Sequence, residues 1–310
     1  MRIVFMGTPE FAVPCLEGLV KEGNEVCGVF TRADKPQGRK FVLTAPPVKE
    51  AALRLGIPVF QPSTLRDEEA RHTIGALRPE LIAVVAYGRI LPEEVLEIPA
   101  LGCVNVHASL LPRLRGAAPI QWAVIRGENE SGITTMHMAK GLDTGDMILR
   151  ESTGIGENET GGSLHDRLIP IGARLLCRTV RLIAQGDAPR ERQDDALATW
   201  APIIDREVCR INWRAGAREI HNLCRGLNPS PSAFTMLGGS AIKIHSTVLT
   251  GEKCGAAPGE IVGAGDGGIA VCCGDGALLT VTALQEQGKR ILPAAEYLRG
   301  HRLSGGVRFE

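Results

Sequence analysis

Arg2-Ile-Val-Phe-Met6, followed by Gly7-Thr8-Pro9, is the stretch that decides the fold. The first five residues read as a short buried strand, Gly7 as a tight turn, Thr8 as a helix N-cap and Pro9 as the first helical residue, with a helix running to about Lys21. Gly23 ends that helix, and Val26 to Phe30 reads as a second strand. Further strands are expected at Val59-Phe60, Leu81 to Ala86, Cys103 to Val106 and Ile133 to Met138, with helical segments between most of them. Alternation of this kind implies an α/β architecture, a Rossmann-like and mostly parallel sheet covered on both faces. The first turn lacks Gly-x-Gly-x-x-Gly, so no nucleotide cofactor is assigned.

Working outward, Leu164 to Ala184 reads as a long closing helix, and the polar, turn-rich run from Gln185 to Asp195 follows it. This divides the chain into residues 1–188, a linker at 189–205 and a smaller domain at 206–310. The last part begins with a helix near Ala215 to Arg225. Short β-type segments follow at Ala241 to Leu249, Gly259 to Val262, Ile269 to Cys273 and Leu278 to Leu284, punctuated by glycines. Strands of that length and spacing favour a small β-barrel.

Composition bounds the function without naming it. With 35 basic and 35 acidic residues the chain has no overall basic character, although residues 206–310 hold 12 Lys plus Arg against nine Asp plus Glu. Nine scattered cysteines without a Cys-x-x-Cys spacing argue for reduced thiols packed as small apolar residues, and against a metal site. No signal-peptide pattern and no apolar run of membrane-spanning length is present, so the expectation is a cytoplasmic protein with no membrane partner.

Chemistry concentrates in two runs. In Asn105-Val-His107-Ala-Ser109-Leu110-Leu111-Pro112, alternation along a strand puts Asn105 and His107 on one face while Val104 and Val106 take the other. In Gly141-Leu-Asp143-Thr-Gly145, a carboxylate stands in a loop after the apolar strand Ile133 to Met138, free to reach back toward His107. Taken singly, His107 reads as a hydrogen-bonded core residue and Asp143 as a turn former. Jointly, an amide, an imidazole and a carboxylate at strand ends match the anatomy of an open α/β site and suit chemistry on a carbonyl. Ser109 lacks the Gly-x-Ser-x-Gly elbow of a nucleophile.

These runs, with Arg115-Gly-Ala-Ala-Pro119-Ile-Gln121 and the opening Met1-Arg-Ile-Val-Phe-Met-Gly-Thr-Pro-Glu-Phe11, resemble the signature of folate-dependent formyltransferases over nearly the whole chain. The resemblance is closest to the members that act on methionyl initiator tRNA. It implies the formyltransferase fold with a smaller C-terminal OB-like β-barrel, and 10-formyltetrahydrofolate as co-substrate with no metal. It also implies Asn105, His107 and Asp143 as catalytic residues, with direct attack of the amine on the formyl carbon. Ser109, Leu110, Leu111 and Pro112 are assigned by it to the formyl donor; Val85, Tyr87 and Gly88, at the end of the preceding strand, read as a further wall of that pocket or as a buried strand running into a turn.

The run Thr31-Arg-Ala-Asp34-Lys35-Pro-Gln-Gly38-Arg39-Lys40-Phe41 is basic and glycine-bearing. By resemblance this insertion enters the tRNA acceptor stem, which assigns Arg39, with Lys35 and Lys40 adding phosphate contacts. The chain departs from the family pattern after the linker, where Ile203 replaces a basic residue and Arg206 is left to supply the contact, and at Ser230, where tryptophan is common. A monomer is expected. The competing readings are a formyltransferase for a sugar-nucleotide or ribonucleotide amine, and a nonenzymatic tRNA-binding protein.

Overall fold

A computed structural model describes residues 1–37, 41–303 and 306–310. Its contacts fall into two units. Met1–Gly116, Ser131–Thr153 and His165–Ala201 make the first; Ala117–Glu130, Gly154–Leu164 and Pro202–Glu310 make the second.

The strands up to Ala201 are β1 (Arg2–Gly7), β2 (Glu25–Phe30), β3 (Lys35–Gln37), β4 (Val42–Thr44), β5 (Val59–Phe60), β6 (Leu81–Val85), β7 (Cys103–His107), β8 (Arg115–Gly116), β9 (Glu130–His137), β10 (Met147–Gly154) and β11 (Trp200–Ala201). Seven of them form one sheet in the order β10-β9-β7-β6-β1-β2-β5. The pairs β1–β2, β1–β6, β6–β7 and β2–β5 are parallel, and β9 runs antiparallel to β7. All five residues of β6 are buried, as a parallel strand covered on both faces requires. Beside this sheet, β3 and β4 form an antiparallel hairpin and β8 pairs in parallel with β11. Neither that hairpin nor β10 is foreseen by hydrophobic patterning.

The first turn departs from expectation. Glu10–Ala12 form a single 3-10 turn, and the α-helix is Val13–Lys21, carrying a proline in its first turn. Thr8 does not cap it. The chain leaves β1 next to the end of β6, and there the Thr8 hydroxyl donates to the Tyr87 carbonyl at 3.1 Å. The long helix, Gly161–Gln185, starts three residues before the position read from the sequence.

In the second unit, β12 (Ala233–Leu237), β13 (Ser240–Lys253), β14 (Ile261–Gly265), β15 (Gly268–Cys272), β16 (Ala277–Glu286) and β17 (Leu292–Pro293) form a six-stranded sheet. Its path is β12-β13-β16-β15-β14, with β17 on β16. Helix Ala217–Gly226 contributes Ile220 and Cys224 to a core shared with Trp213, Ile244, Val281 and Phe309. The end of the chain touches both outer strands. Glu310 and Met236 exchange two backbone hydrogen bonds of 3.0 Å beside β12, while the Ile261 amide donates to Val307 at 3.0 Å and the Phe309 amide to Gly259 at 2.8 Å beside β14.

Seven cysteines are free and buried. Burial pushes their thiols up, Cys103 and Cys224 to about 12. The remaining two depart from the all-thiol expectation, since Cys254 and Cys272 are joined by a disulfide. Among the described residues no helix is long and apolar enough to cross a membrane.

Candidate active site

β7 delivers its two polar residues as alternation predicts. Val104 and Val106 are buried on one face, while half-buried Asn105 pairs in register with Met136 and His107 with Thr134. His107 is 6% exposed, and its Nε2 lies 2.9 Å from the Leu114 carbonyl. A carbonyl only accepts, so Nε2 carries the proton of that bond and Nδ1 is the remaining nitrogen. Nδ1 faces Asp143 Oδ2 at 3.6 Å, an ion-pair distance that is too long for a direct hydrogen bond.

The Asp143 carboxylate is held from another side. The Gly116 amide donates to Oδ2 at 2.9 Å. Gly116 has φ +122°, and a Cβ there would stand 2.6 Å from the Ala201 carbonyl oxygen, so only glycine brings this amide to the carboxylate. Asp143 itself has φ +54°, in the left-handed region that non-glycine residues enter at a cost. Gly145 explains the second glycine of the Gly-x-Asp-x-Gly run, because a Cβ there would overlap the backbone carbonyl of His137. The structure thus brings Asn105, His107 and Asp143 to one end of β7 and the loop following β9.

Ser109 is buried, and its hydroxyl donates to the Arg113 carbonyl at 2.6 Å, which occupies the group a nucleophile would need. Thr134 ties the same loop down: its hydroxyl donates to the Ser109 carbonyl at 2.7 Å and accepts from the Leu111 amide at 3.1 Å. Leu111 is buried and Leu110 and Pro112 are half-buried. In the loop after β6, the Val85 and Tyr87 side chains are fully buried, so the surface offered there is that of Ala86 and Gly88. Arg32 fixes this loop by donating to the Gly88 carbonyl at 2.7 Å.

Of the residues read as tRNA contacts, Lys35 is exposed on β3, while Arg39 and Lys40 lie outside the described residues. The root of this hairpin is bound tightly. Lys49 reaches both Asp34 carboxylate oxygens at 2.8 Å and Gln61 Oε1 at 3.0 Å, and Gln61 Nε2 donates to Asp34 at 2.8 Å and to the Arg32 carbonyl at 2.7 Å. Hydrogen bonds from Lys49 and Gln61 lower the Asp34 pKa below the usual carboxylate range. In the second unit, Arg206 lies over the Phe234 ring at 5.7 Å and lines a cleft of about 750 Å³ with Tyr297, His301 and Arg302. Among the described residues no group of three His, Cys, Asp or Glu side chains could hold a metal ion.

The formyl transferase family matches residues 1–180, and the formyl transferase C-terminal domain matches residues 203–302. A protein of Moorella thermoacetica named methionyl-tRNA formyltransferase is 51% identical over 306 residues, spanning 99% of this chain and 98% of its own. The chain belongs to the methionyl-tRNA formyltransferase family. Members of the wider formyltransferase fold resemble it at lower identity. HypX from Aquifex aeolicus, solved in complex with tetrahydrofolic acid, has a TM-score of 0.65 at 17% identity, covering 96% of this chain and 47% of HypX. This chain therefore spans about half the length of HypX. An N-formyltransferase from Helicobacter canadensis, solved with folinic acid and dTDP-3-aminofucose, has a TM-score of 0.64 at 18% identity, covering 92% of this chain and 98% of its own. Both show the fold that a methionyl-tRNA formyltransferase shares with them.

Sequence reading missed several groups that shape this site: Thr134, Leu114 and Gly116. Thr134 looked like one residue of an apolar strand. The Arg115-Gly116 step carries no signal of its own, because nothing in a sequence marks the backbone amide that a carboxylate will need.

Proposed function

We propose that this chain transfers the formyl group of 10-formyltetrahydrofolate to the α-amine of methionyl initiator tRNA, giving the formylated tRNA used to start translation. The observation that carries this reading is the likeness over nearly the full length of both chains to a relative bearing that name. The convergence of Asn105, His107 and Asp143 supports the chemistry.

Attack of the amine on the formyl carbon places negative charge on the formyl oxygen, and the Asn105 amide donates there. His107 has Nε2 committed to Leu114, so in its protonated form Nδ1–H is the donor left for the developing oxyanion, with Asp143 beside it. Asp143 relays the proton that the amine loses toward the departing folate nitrogen, directly or through water. No covalent enzyme intermediate is needed, in keeping with the engaged Ser109 hydroxyl. The formyl donor is held by the Ser109–Pro112 loop and by the backbone from Val85 through Tyr87 to Gly88.

The acceptor tRNA is bound by the basic run that begins at β3, through Lys35, Arg39 and Lys40, and by Arg206 after the linker. This assigns catalysis to residues 1–188, the linker to 189–205 and tRNA binding to 206–310. The second unit is read as an OB-like barrel, supported by the hydrogen bonds of Val307, Phe309 and Glu310 to both outer strands. The enzyme works as a cytoplasmic monomer.

The test is formyl incorporation from 10-formyltetrahydrofolate into methionylated initiator tRNA, beside uncharged tRNA and an amino-sugar nucleotide. Transfer to methionyl-tRNA alone is expected. Transfer to the small amine alone would replace the tRNA reading with that of a sugar formyltransferase, and no transfer at all would favour a binding protein.

A further inference from the structure

Two non-glycine residues in the left-handed region hold the geometry of the His107–Asp143 pair. Leu114, at φ +58°, gives its carbonyl to His107 Nε2; Asp143, at φ +54°, carries the carboxylate. Such a backbone conformation persists only where its surroundings over-determine it. At both positions the restraint comes from one short stretch after the long helix, a stretch whose composition reads as a charged linker.

Gln193 is 6% exposed, and its Nε2 donates to the Asp143 carbonyl and to the Gly145 carbonyl, both at 2.8 Å. Its Oε1 accepts from Arg115 Nε at 2.9 Å and Nη2 at 2.7 Å, so the amide cannot turn over without losing all four bonds. Arg115 is itself buried and is held by Asp195 at 2.8 Å. Six residues beyond Gln193, the Thr199 hydroxyl accepts from the Leu114 amide at 2.9 Å, and its carbonyl accepts from the Arg115 amide at 2.8 Å. One end of the stretch therefore grips the backbone of Asp143, and the other grips the residue that orients His107.

We infer that Gln193 and Thr199 are positioning residues: the segment 193–199 is a strap that sets the distance and orientation of the His107–Asp143 pair. Neither side chain touches the reacting atoms. Each acts through a backbone group, Gln193 through the Asp143 carbonyl and Thr199 through the Leu114 amide. The inference rests on the proposal that His107 and Asp143 carry the catalysis.

Substituting Gln193→Met removes both donors to the Asp143 loop, and Thr199→Val removes the hydroxyl at constant shape. Steady-state formylation of methionyl-tRNA is measured for each, with thermal unfolding, beside Thr199→Ser and Asp143→Asn. Misplacement of a catalytic group by about 1 Å costs on the order of 100-fold, so kcat is expected to fall by at least about tenfold in Gln193→Met and Thr199→Val. KM for both substrates and the unfolding midpoint stay near those of the parent, and Thr199→Ser recovers most of the rate. If Asp143→Asn is inactive while Gln193→Met and Thr199→Val keep the parent kcat, the strap is overturned and the catalytic reading stands. A joint fall in kcat, substrate affinity and unfolding midpoint would also overturn it, in favour of a general structural role. Full activity of Asp143→Asn would overturn the strap and the catalytic reading together.

Discussion

His107 donates from Nε2 to the Leu114 carbonyl at 2.9 Å, and this one bond determines which ring nitrogen is left to face Asp143. With Nε2 engaged, Nδ1 is aimed at Asp143, whose Oδ2 is also bonded by the Gly116 amide. The carboxylate is therefore positioned by a backbone amide and the imidazole by a backbone carbonyl.

Asp143→Asn separates position from proton transfer. The amide oxygen of asparagine can still accept from Gly116, so the loop keeps its place while the proton acceptor is lost. The expected outcome is a kcat lowered by roughly 100- to 10,000-fold, with KM for methionyl-tRNA nearly unchanged, measured by steady-state formylation. Turnover close to the parent's would remove Asp143 from proton transfer.

Asn105→Ala should lower kcat by about 100- to 1,000-fold, the usual cost of losing one donor to a developing oxyanion. Binding of a non-reactive folate analogue, followed by fluorescence or calorimetry, is expected to survive. A comparable loss of folate affinity would place Asn105 in ground-state binding instead.

Gly145→Ala forces a methyl group onto the His137 carbonyl, a backbone atom that cannot swing aside. Overpacking of this kind costs about 1–3 kcal/mol, read as a lower urea midpoint at constant m-value. An unchanged midpoint would mean that the loop adjusts freely.

Lys49→Met removes the ammonium that bonds both Asp34 and Gln61 at the root of the β3–β4 hairpin. Fixing one residue's backbone costs about 1–2 kcal/mol, so KM for methionyl-tRNA should rise by about tenfold once the strand pair loses this anchor. KM for the formyl donor should not move. Equal effects on both substrates would show that the hairpin root supports the whole first unit rather than tRNA binding.

Acid should weaken the fold through three buried histidines. Burial lowers the pKa of His137, His221 and His245 below the ordinary value of 6.5, so each resists protonation in the native state. Below about pH 6.5 the unfolded chain binds more protons than the folded one, and stability present above that pH is lost as the pH falls. Urea midpoints between pH 7.5 and 5 are expected to fall, and His137→Gln should flatten part of the slope. A midpoint independent of pH over that range would contradict the assignment.

How much of this was legible in the sequence depended on what each residue faces. β1, β6 and β7 could be read because buried parallel strands are near-continuous apolar runs, and Asn105 and His107 were detectable as polar exceptions on one face. β10 was missed because its later residues alternate with charged ones at the sheet margin, so Arg150 and Glu151 obscured the apolar signal. Thr8 looked like a cap and instead bonds Tyr87, a partner 79 residues away that local propensity cannot register. Gln193 was hardest of all. Set among Arg192, Asp194 and Asp195 it has the composition of a solvated connection, and its burial arises only because Arg115, Asp143 and Gly145 surround it.

The bonds of Val307, Phe309 and Glu310 to the two outer strands set an order on how the second unit can be made. β12 and β14 each hold backbone groups whose partners are supplied only by residues 307–310. A growing chain that has passed β16 but not yet reached Val307 therefore has most of its sheet, with β12 already bonded at Phe234 by residues 209 and 211, but with Met236 and the margin at 259–261 still open. The margin beside β14 therefore stays open until residues 307 and 309 reach it.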